Sequence, residues 1–183
     1  MRKQVAAALF LTLSLLLLPQ RGARASEVGQ PAPALVIPLL DGQPFDLAAQ
    51  RGKVVIVNFW ATWCAPCREE MPALDAFYRR HRSEGIEMIG LSVDRERDRD
   101  AVRAAMRSFA YPAALVGDAR TNDFPRPKLL PITYIVDAAG MLRAKMTPGQ
   151  IAVTEQSLTA TVLPLLPQTT QPRRGPSMDS AAR

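Results

Sequence analysis

Two cysteines, Cys64 and Cys67, carry the most specific chemical signal in this chain of 183 residues, which contains no other cysteine. A disulfide between them would close a loop that is too short to cross-link distant parts of a fold. A long apolar run precedes the pair and an amphipathic segment follows it. With Cys64 at the start of a helix, the unpaired N–H groups and the positive end of the helix dipole would stabilise its thiolate.

This position favours thiol-disulfide exchange in two steps. Cys64 would attack a substrate disulfide, and Cys67, one turn inside the helix, would attack the mixed disulfide and release the product. Pro66 falls in the first turn, where its missing N–H costs little. A haem attachment site would need a histidine where the chain has Arg68, and structural zinc would need about four ligands where the chain offers two Cys and one His. An inert buried pair is the alternative that stays open.

The elements that must position this pair follow from hydrophobic patterning. Val54 to Trp60 is a continuous apolar and β-branched run that predicts a central strand covered on both faces. Cys67 to Arg82 has apolar residues at helical spacing, and Ile86 to Val93 predicts a second buried strand, which completes a βαβ unit. The other predicted elements are a hairpin (34–37 and 43–47), a helix at 102–109 after the charged run 94–100, a strand at 113–116, a loop at 118–128, strands at 132–136 and 141–146, and a helix from Thr154 to Leu163. This order predicts one α/β domain with a mixed sheet over residues 26–166.

The two ends of the chain differ in composition from that domain. Residues 1–25 combine a basic start, an apolar run of 14 residues at 5–18 and a short polar stretch, which is typical of a secretory signal. The run is shorter than the roughly 20 residues that a membrane-spanning helix needs, so we expect cleavage after Ala25, with an uncleaved anchor as the alternative. Residues 167–183 contain almost nothing to bury and are predicted to be disordered.

The distribution of charge argues against a nucleic-acid surface. The formal charge is +6, but residues 1–25 contribute +4 and the tail after residue 166 contributes +2. Residues 26–164 therefore carry no net charge, whereas nucleic-acid binding needs basic residues clustered on the folded body. We expect no nucleic-acid partner.

Two segments of the chain resemble one known family. Phe59 to Pro72 is similar to the active-site segment of exported thioredoxin-like proteins, the family of the TlpA, ResA and cytochrome c maturation reductases, and Leu130 to Asp137 resembles its second signature. The likeness runs from about Glu27 to Leu163. It implies a thioredoxin-like fold with a mixed central β-sheet flanked by helices and an N-terminal β-hairpin extension. It also implies a periplasmic thiol:disulfide oxidoreductase that works as a reductant without a cofactor or bound metal.

The resemblance assigns roles by position. Pro131 matches a cis-proline that faces the disulfide and presents backbone to a bound substrate chain, so Leu130 and Trp63 are expected to face the substrate. Glu70 matches a buried acid of the reducing members, whose carboxylate could exchange a proton with Cys67. An ordinary surface glutamate is the alternative for that position.

Three further residues or segments bear on these roles. Asn58 stands where cytoplasmic thioredoxins keep a buried aspartate, which shifts acid–base work toward Glu70. The loop Pro125-Arg126-Pro127 replaces a short helix of many relatives and leaves the substrate-facing rim open. His81, near the end of the predicted helix, is interpreted as a solvated residue.

The expected partners are a disulfide-containing exported protein as substrate and a membrane thiol reductase as electron donor, because the compartment keeps thiols oxidised. We expect a monomer, with membrane contact only through residues 5–18 if they are retained. Two other functions stay open. A thiol peroxidase would need a Pro-x-x-x-Thr-x-x-Cys pattern that is missing before Cys64, and a non-enzymatic module for metal-site assembly could bind Cu(I) through both thiolates.

Overall fold

The computed structural model describes residues 27–167, so the predicted signal segment at 1–25 and all but the first residue of the predicted disordered tail lie outside the described residues. Within that range, no helix combines the length and the apolar character needed to cross a bilayer.

Eight strands and three α-helices form between residues 27 and 167. They are β1 (Leu35–Pro38), β2 (Pro44–Asp46), β3 (Val54–Trp60), α1 (Ala65–His81), β4 (Ile86–Ser92), α2 (Arg99–Met106), β5 (Ala113–Leu115), β6 (Thr121–Asn122), β7 (Ile132–Val136), β8 (Leu142–Met146) and α3 (Glu155–Val162). The central sheet has the order β5-β4-β3-β7-β8, with β3, β4 and β5 parallel and β7 and β8 antiparallel to their neighbours. The predicted mixed sheet is confirmed.

The strand β3 occupies the centre of this sheet, and all seven of its residues are buried. Because side chains alternate between the faces of a strand, β3 contributes to two separate cores. Ile56 and Trp60 pack on the side of α1 and α3, whereas Val57 and Phe59 pack on the side of the N-terminal hairpin. Both faces are covered, which explains why the strand has no polar alternation in its sequence.

A second, smaller sheet of order β2-β1-β6 covers one face of the domain. The hairpin β1–β2 is confirmed, but the prediction of an unstructured loop at 118–128 is wrong at Thr121–Asn122, which pairs with Val36 and Leu35. Two residues carry no readable periodicity, and their pairing is created by contact with β1, which is distant in sequence.

The helix α1 follows β3 directly and begins at Ala65, two residues before the predicted start, because Cys64 serves as its N-cap. It continues through Pro72 and leads to Gly85, whose φ of 95° favours glycine at the entry to β4. His81 is buried rather than solvated: its ring lies 4.7 Å from that of Phe77 and its Nδ1 lies 3.0 Å from a Glu84 oxygen. The prediction of a solvated His81 is therefore wrong, because Phe77 and Glu84, four residues before it and three after it, cover the ring.

Candidate active site

Cys64 and Cys67 are joined by a disulfide, with their Cα atoms 5.3 Å apart. Cys64 has extended backbone angles as N-cap of α1, and its Sγ accepts the backbone N–H of Cys67 at 3.2 Å. Pro66 lies in the first turn, as predicted. The helix therefore directs one of its free N–H groups at the sulfur of Cys64, where it would stabilise a thiolate after reduction.

A cleft of about 1220 Å³ opens on one side of the disulfide. Cys64 lines this cleft, whereas Cys67 does not and is only 1% exposed. Trp63 projects at its rim with 70% of its surface exposed. Of the two sulfur-bearing residues, Cys64 is thus the one in contact with the space that a substrate could enter.

The second signature lies on the opposite side of the cleft. The Leu130–Pro131 peptide bond is cis, as the family resemblance implies, and Leu130 lines the cleft while Pro131 is buried. Ile132 pairs with Phe59 in the sheet, which brings Pro131 to the end of β3 from which the chain continues to Cys64. The structure thus brings Trp63, Cys64 and Leu130 together around one cleft.

Asp94 organises the segment that leads into the disulfide, a role that the sequence analysis missed. Its carboxylate accepts the backbone N–H of Thr62 at 2.9 Å, the Thr62 hydroxyl at 2.7 Å and the Ser92 hydroxyl at 2.7 Å. Asp94 lines the cleft but is only 7% exposed. The register of the sheet explains this contact: β3 and β4 are parallel with Trp60 opposite Ser92, so the residues two positions later, Thr62 and Asp94, lie close together. The sequence by itself carries no signal for that register.

Glu70 lies on α1 and is half-buried. Its Oε2 is inaccessible to solvent and has no hydrogen-bond partner in the part of the chain that the structure describes. Burial raises the pKa of Glu70, although the backbone N–H of Val153 acts in the opposite direction. The carboxyl is thus better suited to holding a proton than an exposed glutamate would be.

Asn58 occupies the core below the site and is 1% exposed. Its amide nitrogen donates to the hydroxyl of Thr133 at 2.9 Å, across β3 and β7. Neither group titrates in the accessible pH range, so this buried pair connects two strands without supplying a proton.

The family model that matches residues 28–145 is described as the AhpC/TSA family. Among curated relatives, the thiol-disulfide oxidoreductase ResA of Bacillus cereus is 29% identical over 130 residues, 68% of this chain and 72% of its own length. ResA of Bacillus thuringiensis subsp. konkukian is 41% identical over 120 residues, 62% of this chain and 66% of its own length. The matched region thus spans about two thirds of these relatives.

The comparison with solved structures also finds thiol-disulfide oxidoreductases. A thiol:disulfide interchange protein of the thioredoxin family from Chlorobium tepidum matches with a TM-score of 0.63 at 25% identity, over 78% of this chain and 100% of its own. The thioredoxin domain of a thiol-disulfide oxidoreductase from Bacteroides vulgatus matches with a TM-score of 0.59 at 27% identity, over 74% and 98%. The predicted thioredoxin-like fold is confirmed.

Proposed function

The chain belongs to the AhpC/TSA family and is a thiol-disulfide oxidoreductase, and from this premise we propose that it is an exported reductant of protein disulfides. One observation carries the assignment of the two cysteines. Cys64 lines the cleft and is 6% exposed, whereas Cys67 does not line it and is 1% exposed, so the substrate reaches Cys64 first. Cys64 is therefore the attacking residue and Cys67 the resolving one.

The reaction transfers two electrons from the dithiol to the substrate. The thiolate of Cys64 attacks one sulfur of the substrate disulfide, which forms a mixed disulfide and releases the other substrate sulfur as a thiolate. The thiolate of Cys67 then attacks the Cys64 sulfur, forms the Cys64–Cys67 disulfide and releases the second substrate thiolate. The N-terminus of α1 stabilises the Cys64 thiolate that begins the cycle.

The surrounding residues support each step. The raised pKa of Glu70 suits it to accept the proton of Cys67 as that thiol becomes a nucleophile. We expect the backbone at Leu130 and Pro131 to meet an extended substrate chain, supported by the position of Leu130 at the cleft and by the exposed indole of Trp63, which offers an apolar surface. No cofactor enters this mechanism, because both electrons come from the cysteines themselves.

The direction of electron flow and the location rest on the sequence. Phe59 to Pro72 is similar to the active-site segment of exported reductases, and the apolar run at 5–18 is typical of a signal for export. An exported reductant needs a membrane thiol donor for its own reduction, since its compartment is oxidising. We place its substrate among disulfide-containing exported proteins.

The reduction potential of Cys64–Cys67 tests this proposal. The protein lacking residues 1–25 is equilibrated in redox buffers while tryptophan fluorescence is followed, to which Trp63 beside the disulfide and Trp60 both contribute. A potential near or below that of thioredoxin, about −270 mV, is expected for a reductant, and one near that of DsbA, about −120 mV, would make it an oxidant. Rapid peroxide turnover with a thiol donor would instead indicate a peroxidase, and stoichiometric Cu(I) uptake without disulfide reduction would indicate a binding module.

A further inference from the structure

The rim of the cleft carries positive charge that disulfide exchange does not itself require. Four cationic and two acidic residues line the cleft, a net charge of +2 in a domain whose net charge is near zero. The four cationic side chains belong to exposed residues: Arg95, Arg97, Arg126 and Lys128.

The two carboxylates of the cleft do not neutralise this charge at the rim. Asp94 is buried and accepts hydrogen bonds from Thr62 and Ser92. Asp98 lies 3.9 Å from Arg97, which makes a loose ion pair of little strength at the surface. The cations on both sides of the cleft are therefore available to a bound molecule.

The same cleft also concentrates exposed apolar surface. Four large hydrophobic side chains are strongly exposed between residues 27 and 167, and two of them, Trp63 and Leu129, line this cleft. Exposed aromatic and aliphatic groups at a basic rim are typical of a recognition surface rather than of bulk protein surface. The volume of about 1220 Å³ exceeds the roughly 300–1,000 Å³ of small-molecule pockets, which favours a chain segment as the occupant.

From this charge and shape we propose that the cleft selects an extended acidic segment of the substrate protein. One apolar side chain of that segment packs on Trp63 and Leu129, and its carboxylates pair with Arg126 and Lys128 on one side and with Arg95 and Arg97 on the other. This inference rests on the proposed function, because the segment must carry the cystine that Cys64 attacks. Its consequence is a preference among disulfide substrates for acidic sequence around the cystine.

The test compares three disulfide-linked peptides of equal length whose flanking residues are acidic, neutral or basic. With the reduced protein at low ionic strength, we expect the rate constant for the acidic peptide to exceed that for the basic peptide about tenfold or more. Salt at about 0.5 M should reduce this ratio, since exposed charges are screened. The uncharged disulfide of 2-mercaptoethanol provides the reference rate.

A matched pair of variants localises the effect to the cleft. Arg126→Glu with Lys128→Glu should reverse the preference or abolish it, when the rate with each peptide is divided by the rate of the same variant with the uncharged disulfide. Arg82→Glu with Arg107→Glu changes the total charge equally at exposed positions outside the cleft and should leave the preference intact. Equal rates for the three peptides, or equal effects of the two double variants, would overturn the proposal.

The preference for acidic substrates and the direction of electron flow can be tested separately. If the potential indicates an oxidant, the oxidised protein is tested with the dithiol forms of the same peptides, and the acidic preference should persist in that direction. A low potential with no charge preference would contradict the selectivity alone. A high potential with the preference retained would contradict the direction of electron flow alone.

Discussion

The two walls of the cleft are built in opposite ways. The wall formed by Trp63 to Pro66 is fixed at both ends: Asp94 binds the preceding Thr62, and Cys67 bonds to Cys64 through the N-cap hydrogen bond and the disulfide. In the facing wall, no side chain from Pro125 to Leu130 makes a hydrogen bond or an ion pair within residues 27–167, and four of these six residues are exposed. The residues around the disulfide are therefore held in one geometry, whereas the surface proposed to meet the substrate has no side-chain hydrogen bonds that hold it in place.

The largest effect is expected from replacing the two cysteines that form the disulfide. Cys64→Ser should abolish disulfide exchange, because the nucleophile is lost. Cys67→Ser should retain the first step and trap mixed disulfides through Cys64, which non-reducing electrophoresis and mass spectrometry detect. If the Cys64 variant traps partners and the Cys67 variant does not, the two roles are reversed.

The next largest effect is expected at the carboxylate that fixes this wall. Asp94→Ala leaves the half-buried donors of Thr62 and the buried hydroxyl of Ser92 without their acceptor, which should lower the free energy of unfolding by about 2–3 kcal/mol. Urea denaturation of the oxidised protein measures this loss of unfolding free energy. Asp98→Ala removes the same charge from the same cleft but only a loose surface pair, so it should cost less than about 0.5 kcal/mol. Equal losses of unfolding free energy in the two variants would contradict the structural role assigned to Asp94 as opposed to Asp98.

A smaller, pH-dependent effect is expected at Glu70. Because burial raises its pKa in the folded protein, the native state binds this proton more tightly than the unfolded chain, and stability falls as the pH rises above about 4.5. Glu70→Gln should therefore raise the melting temperature by about 1–3 °C at pH 7 and leave it unchanged at pH 4. It should also slow product release more than attack in stopped-flow measurements.

The exposed neighbour Glu69 supplies the matched control for that experiment. Glu69→Gln should give no gain in melting temperature between pH 4 and pH 7 and should leave the release step unchanged. An identical pH profile of release in the wild type and in Glu70→Gln would contradict the proton transfer proposed for Glu70.

The smallest effect on stability is expected in the facing wall. Arg126→Ala should change the free energy of unfolding by less than about 0.5 kcal/mol, because the side chain is exposed and makes no ion pair within the described residues. The reduction potential should be unchanged, and only the rate with acidic substrates should fall. A destabilisation above about 1 kcal/mol would show that this wall is as firmly held as the other.

The sequence predicts those parts of the molecule whose structure is locally encoded. The strand Val54–Trp60 agrees with its prediction to the residue, since a run buried on both faces needs no partner to be recognised. The N-cap at Cys64 and the capping box at Thr154 follow from short-range hydrogen bonds. The cis bond before Pro131 followed from the family resemblance rather than from any physical signal in the residues.

Two features that the sequence did not predict, the strand β6 and the contacts of Asp94, depend on segments that are distant in the chain. The strand Thr121–Asn122 exists because β1 lies beside it, and its two residues show no pattern of their own. Asp94 stands in an alternating charged run that indicates only a solvated helix start, yet the parallel register of β3 and β4 buries it against Thr62. The burial of His81 is a different case, because the residues that contact its ring, Phe77 and Glu84, are its own neighbours in the chain.

The pairing of β6 with β1 anchors the segment that forms the facing wall of the cleft, residues 125–130. Its chain is fastened at one end by the backbone hydrogen bond from Asp123 to Ala34 and at the other by the entry into β7 at Ile132. Within this span, Phe124 packs in the core against Phe59 and Tyr134, and the cis bond joins Leu130 to Pro131. Changes confined to residues 125–129 should therefore leave the hydrogen bonds around the disulfide undisturbed. The small second sheet thus anchors a segment at the cleft whose replacement should change the substrate preference without changing the residues around the disulfide.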